Sequence, residues 1–231
     1  MPDLSANQLL NGLDPREIAL LRPHFAEAVL ETGSVVAEVG QHAEFVYFPT
    51  DGVLSLVGTT EGGGTVEVAI VGREGVASVS AILGRSPLRF RIVTQVSGTA
   101  WRLPTEVVTK QLRDCGELHE RILRYSESVI LQVGQSAICN RFHNAKQRLA
   151  RWLLMTVDRA GTRQLPLTHE FISYMVGGPR SAVTEAASAL RDSGAIDYRR
   201  GLLTVQNVER LQQESCECYL AVQSVLNLKN S

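Results

Sequence analysis

Between residues 180 and 200 the chain carries side chains whose types and spacing suit the reading of a nucleic acid. Arg180, Ser181, Thr184 and Glu185 fall at i, i+1, i+4 and i+5, so a helix would set them on one face as short donors and acceptors beside a guanidinium. A guanidinium near the start of such a helix can bond guanine O6 and N7 together, and a carboxylate can accept from a cytosine amino group. Arg199 and Arg200, next to Gly201, offer cations suited to phosphate oxygens.

Those side chains need a scaffold, and the flanking residues spell one. Thr168 can cap a helix bearing Phe171, Ile172, Met175 and Val176, which Gly177-Gly178 then breaks with a turn. Pro179 fits a first helical position, and Ala182, Val183, Ala186, Ala187 and Leu190 supply the inner face of a second helix that Ser193-Gly194 ends. Residues 196–205 alternate like a hairpin around Arg199-Arg200-Gly201. Two helices, a tight turn and a basic hairpin make a winged helix-turn-helix, with Thr168, Arg180, Ser181, Thr184, Glu185, Arg199 and Arg200 as candidate DNA-binding residues.

The remainder must position and control that module. At 231 residues the chain can form one or two domains. No apolar run reaches the roughly 18 residues of a membrane span, and the start lacks the basic-then-apolar plan of a secretory signal, so no membrane and a cytoplasmic location are expected. The net charge of −1 hides an asymmetry: residues 1–144 hold 12 Lys/Arg against 16 Asp/Glu (−4), and residues 145–231 hold 11 against 8 (+3). Cys115, Cys139, Cys216 and Cys218 are read as reduced thiols.

Residues 5–30 read as one or two short helices. Strand-like segments follow at 34–39, 45–49, 52–59, 65–71, 90–96 and 99–103, the texture of an antiparallel roll. Glu61 to Gly64 reads as a hairpin loop, since neither a Gly-Lys-Ser/Thr nor a helix follows as a phosphate loop requires. Helices are predicted over 105–113, 117–142 and 145–159, and one last helix within 207–227. Along the long helix, Leu118, Ile122, Tyr125, Val129, Gln132 and Ser136 form a stripe assigned to a dimer interface. Leu123, Ile130, Val133 and Ala137 form a second stripe, and one of the two should cover the roll. The expected domains are 1–104 as sensor, 105–144 as dimerisation helix and hinge, and 145–231 as DNA-binding domain.

This order resembles the cAMP receptor protein/FNR (Crp/Fnr) superfamily of bacterial transcription regulators over essentially the whole chain. Val46-Tyr47-Phe48 with Asp51-Gly52-Val53 carry the resemblance in the roll, and 167–171 with 183–186 carry it in the reader. It implies an α+β fold with a cyclic-nucleotide-binding-like β-roll (jelly roll), a long dimerisation helix and a C-terminal winged helix-turn-helix. It also implies a homodimer on a near-palindromic double-stranded DNA operator, with RNA polymerase as a further partner. Members that bind cyclic nucleotides hold the ribose with Gly-Glu-Leu and the phosphate with Arg-Ser or Arg-Thr. Here the corresponding segments read Gly72-Arg73-Glu74-Gly75 and Leu88-Arg89-Phe90-Arg91-Ile92, so operator binding without cAMP is expected.

Gly72, Glu74, Arg89 and Arg91 remain the candidate ligand pocket. Arg89 and Arg91, two apart on a strand, would share a face, as an anion clamp or as a solvated surface. No cofactor is expected. The first cysteine, Cys115, lies far from the N-terminal cluster of oxygen-sensing members, which argues against an iron–sulfur centre of that type. Cys216 and Cys218 would diverge on a helix with no further ligand nearby, so no metal is assigned. No nucleophile-base pair suggests an enzyme. A regulator with no effector, controlled by abundance or by a protein partner, is the alternative.

Overall fold

Alternating apolar and polar residues from Ala26 onward fold as antiparallel strands in a computed structural model that describes residues 3–84, 86–114 and 116–227. The strands are β1 (Ala26–Leu30), β2 (Val35–Ala37), β3 (Phe45–Pro49), β4 (Val53–Thr59), β5 (Thr65–Val71), β6 (Arg91–Val96) and β7 (Gly98–Pro104). They form one sheet of order β1-β7-β3 and another of order β2-β6-β4-β5. In β3 the period of two is plain: Val46 and Phe48 are fully buried, whereas Phe45 and Tyr47 are half-buried. β1 corrects the helical reading of residues 26–30, because Ala-Glu-Ala-Val-Leu pairs with β7 from Ala26 opposite Arg102 to Leu30 opposite Gly98. Before it stand a helical turn at Leu4–Ala6, α1 (Pro15–Leu21) and a second turn at Arg22–His24.

The helices that follow are α2 (Val79–Gly84), α3 (Thr105–Leu112), α4 (Glu117–Phe142) and α5 (Ala145–Ala160). Asn144 and Gln147 form a reciprocal capping box that starts α5, and Gly161 at φ 64° stops it. Strand β8 (Gln164–Pro166), α6 (His169–Val176), α7 (Arg180–Asp192), β9 (Ile196–Arg199), β10 (Leu202–Val205), α8 (Val208–Glu214) and α9 (Cys218–Asn227) complete the chain, with a sheet of order β8-β10-β9. The tail is thus two helices rather than one: Ser215, at φ −83° and ψ 174°, is extended and ends α8.

Contacts divide the chain into one unit of Met1–Leu56 with Val71–Val129 and another of Val57–Ile70 with Ile130–Ser231. The first unit's core joins Val46, Phe48, Leu54, Ile92 and Leu103 to residues of α4. Here the assigned dimer stripe is corrected. Leu118 and Ile122 are wholly buried and Tyr125 is 2% exposed, all within the protomer's own core, with Val129 against them. A Cβ on Gly75 would collide with the Tyr125 ring, so the ring occupies the space that the glycine leaves. Gln132 and Ser136 are also buried, and Gln132 Oε1 accepts the Ile70 N–H at 3.2 Å. Leu123, Ile130, Leu131 and Ile138 are exposed large apolar residues of α4, alongside Phe142 at its end, and Ala137 is exposed as well.

Asp51-Gly52-Val53 owes its glycine to a close approach of two backbones. Gly52 has φ +77°, and a Cβ there would lie 2.7 Å from the Val96 carbonyl oxygen and 3.0 Å from Gly98 Cα.

Candidate nucleic-acid interface

Thr168 caps α6 as its type requires, its hydroxyl accepting the Phe171 N–H at 3.1 Å. Ile172, Met175 and Val176 bury the inner face of that helix. Gly177 and Gly178 turn the chain at φ +73° and +130°, and the Ser173 hydroxyl donates to the Gly178 carbonyl at 2.6 Å. Pro179 lies just outside the helix, at ψ 146°, and α7 begins at Arg180, one residue later than the proline pattern suggests.

Helix α7 separates its faces cleanly. Val183, Ala186, Ala187 and Leu190 are buried, whereas Arg180, Ser181, Thr184 and Glu185 are exposed. The four candidate readers therefore share one accessible surface, with Arg180 in the first turn. The Thr184 hydroxyl donates to the Arg180 carbonyl at 2.9 Å and lies 3.2 Å from His169 Nδ1. His169 stacks on Tyr198 with ring centroids 4.4 Å apart, and the Tyr198 hydroxyl donates to the Leu167 carbonyl at 2.9 Å. Burial, and then the charge of Arg180, hold the imidazole below the ordinary histidine range, which keeps it neutral at neutral pH. His169 thus braces α6, α7 and β9 together through contacts to residues 15 and 29 positions away in the chain.

The hairpin of β9 and β10 pairs Arg199 with Leu202 around a two-residue turn, Arg200-Gly201, at φ +50° and +81°. Positive φ at both positions makes a type I′ turn, which favours Asn or Gly at the first of them. An arginine there carries a local backbone cost, consistent with a side chain kept for its charge. Arg200→Asn is expected to raise unfolding stability by about 0.5–1 kcal/mol while lowering DNA affinity and the salt slope by about 0.9 per site. Thermal melts and binding at two salt concentrations check this, and unchanged DNA affinity removes Arg200 from the interface. Arg199 is exposed and pairs with Asp197 at 2.9 Å.

The four candidate pocket residues lie on two separate segments, a turn after β5 and the start of β6. Gly72 and Glu74 share a turn in which Glu74 Oε1 accepts the Gly72 N–H at 3.2 Å. Arg91 opens β6 and pairs with Glu38 at 2.9 Å, whereas Arg89 is exposed in the bend before the strand. The clamp geometry therefore fails, because the two arginines do not share a strand. A cavity of about 820 Å³ in the same unit is lined by His42, Glu106, Lys110 and Arg113 among others, and by none of the four candidates.

The view that Cys216 and Cys218 lack companions is overturned. Cys216 lies in the break between α8 and α9, so the pair is not set two apart on one helix. Their sulfurs, Cys139 Sγ and a His143 ring nitrogen all lie within 4.8 Å of one another. Cys115 lies outside the described residues.

A β-roll followed by a long helix and a winged helix-turn-helix defines a DNA-binding transcription regulator rather than an enzyme. Residues 27–115 match the cyclic nucleotide-binding domain, and residues 147–214 match the Crp-like helix-turn-helix domain. The chain belongs to the Crp/Fnr superfamily of transcription regulators. It is 28% identical over 193 residues to the global nitrogen regulator of Synechococcus elongatus, covering 80% of this chain and 87% of that protein. To the CRP-like cAMP-activated global transcriptional regulator of Mycobacterium tuberculosis it is 21% identical over 214 residues, covering 90% and 96%. In fold it is similar to a Crp/Fnr-family regulator from Eubacterium rectale, with a TM-score of 0.72, 18% identity and coverage of 90% and 98%. Among the described residues no helix is long and apolar enough to cross a membrane.

Proposed function

We propose that the chain is a homodimeric regulator that reads a near-palindromic double-stranded operator through α7 and the wing, and does so without cAMP. The observation that carries the reading is the shared exposure of Arg180, Ser181, Thr184 and Glu185 on a helix whose opposite face is buried. Short polar side chains let such a helix enter the major groove, where a two-fold pair would span half-sites about one turn, on the order of 34 Å, apart. The exposed stripe of α4, with Leu123, Ile130 and Ile138, supports the two-fold pairing. RNA polymerase is the partner that a promoter-bound member of this family would meet.

Independence from cAMP is supported by the pocket residues. Arg91 is already matched by Glu38, and the Glu74 carboxylate turns back on its own loop. Selection of sites from random DNA, followed by mobility shifts with and without millimolar cAMP, tests both parts. A palindromic consensus bound equally well in either condition is expected. Absence of any selected consensus overturns the DNA reading, and a tenfold or greater gain with cAMP overturns the effector reading.

A further inference from the structure

We propose that Cys139, His143, Cys216 and Cys218 bind a single zinc ion. The four come together for separate local reasons. Cys139 and His143 are one helical turn apart at the end of α4, where the His143 N–H donates to the Cys139 carbonyl at 3.1 Å. Cys216 and Cys218 face the same point because the extended Ser215 takes Cys216 out of α8 before α9 starts.

The geometry suits one small tetrahedral cation. Cys139 Sγ and Cys216 Sγ are 3.6 Å apart, and Cys218 Sγ is 3.5 Å from His143 Nδ1. Zinc bonds of about 2.3 Å to sulfur and 2.0–2.1 Å to nitrogen give tetrahedral edges of roughly 3.5–3.8 Å. A disulfide needs about 2.05 Å between sulfurs, well inside the observed separation, and would leave Cys218 and His143 without a role. A cluster of several iron atoms needs its sulfurs spread more widely than these. Three thiolates and an imidazole are soft and borderline donors that select zinc over magnesium or calcium. Four protein ligands fill the shell, which makes the site structural.

The surroundings match as well. All three cysteines are at most 4% exposed. Gln135 Nε2 donates to Cys218 Sγ at 3.0 Å, as an amide stabilising a thiolate would. With Nδ1 toward the sulfurs, His143 Nε2 lies 3.3 Å from the Glu217 carboxylate, the outer partner that fixes tautomer and ring orientation in zinc sites. Three thiolates and a dication sum to −1. The ion would tie the end of α4 to the break between α8 and α9.

The full-length protein, purified under reducing conditions with zinc, is expected to contain about one zinc per chain by elemental analysis. Cobalt substitution should give the intense visible bands of a tetrahedral thiolate site. Cys216→Ser and His143→Ala should abolish stoichiometric binding, whereas His143→Cys should restore it and Cys115→Ser should leave it unchanged. Glu217→Ala should weaken affinity by about 10–100-fold. If a variant fails to fold, the metal content of the wild-type chain still decides. Less than about a tenth of an ion per chain after reconstitution, a Cys139–Cys216 disulfide under the same reducing conditions, or several iron atoms per chain each overturn the proposal.

Discussion

The Ile130→Glu chain is expected to sediment as a monomer at micromolar concentration, and the unaltered chain as a dimer. Ile130 is 71% exposed on α4, one heptad after Leu123 and two turns before Ile138. A two-fold axis along this stripe would bring both copies of the residue into one apolar seam. Two carboxylates buried there without partners should cost on the order of several kcal/mol per dimer. Because the side chain is exposed in the protomer, the roll and the reader should keep their own melting behaviour. Ile122→Glu should instead unfold the roll, since Ile122 is fully buried within it. An unchanged dimer mass for Ile130→Glu would place the two-fold axis elsewhere.

Arg180→Ala should weaken specific operator binding by about 1–3 kcal/mol per half-site, and so by about 2–6 kcal/mol for a dimer. Arg180 is exposed at the start of α7, where a side chain reaches base edges, and no acidic residue occupies that first turn to neutralise it. The substitution leaves the backbone carbonyl that accepts from Thr184, so the helix should keep its local geometry. Sites selected from random DNA should lose preference at one position per half-site. An identical consensus bound uniformly more weakly would make Arg180 a phosphate contact instead.

The reader was legible because its signals are local. A capping threonine, a double glycine and a small-residue inner face each act within a few residues, and the structure places all of them as the spacing implies. The bounds of the long helix were legible for the same reason. Which of its two apolar stripes is covered was not, because both are apolar at helical spacing and only the roll decides between them. Gln132 and Ser136 are buried against the ordinary preference of their types. The cysteine cluster was hidden twice over. Its halves lie 77 residues apart, counted from Cys139 to Cys216, and a continuous helix through Cys216 would have turned the second half away.

The chain passes between the two contact units three times, at 56/57, 70/71 and 129/130. Excision of the reader at Ala145, the boundary that a linear reading suggests, would therefore not yield a complete module. It would discard Gln135, Cys139 and His143, and with them half of the cysteine cluster. It would also discard the hairpin tip, where the Thr65 hydroxyl donates to the Tyr174 carbonyl at 2.9 Å and Val66 stands beside Gly177 at the turn between α6 and α7. A graft designed to move the proposed DNA reading to another protein would carry residues 57–70 and 130–231 together.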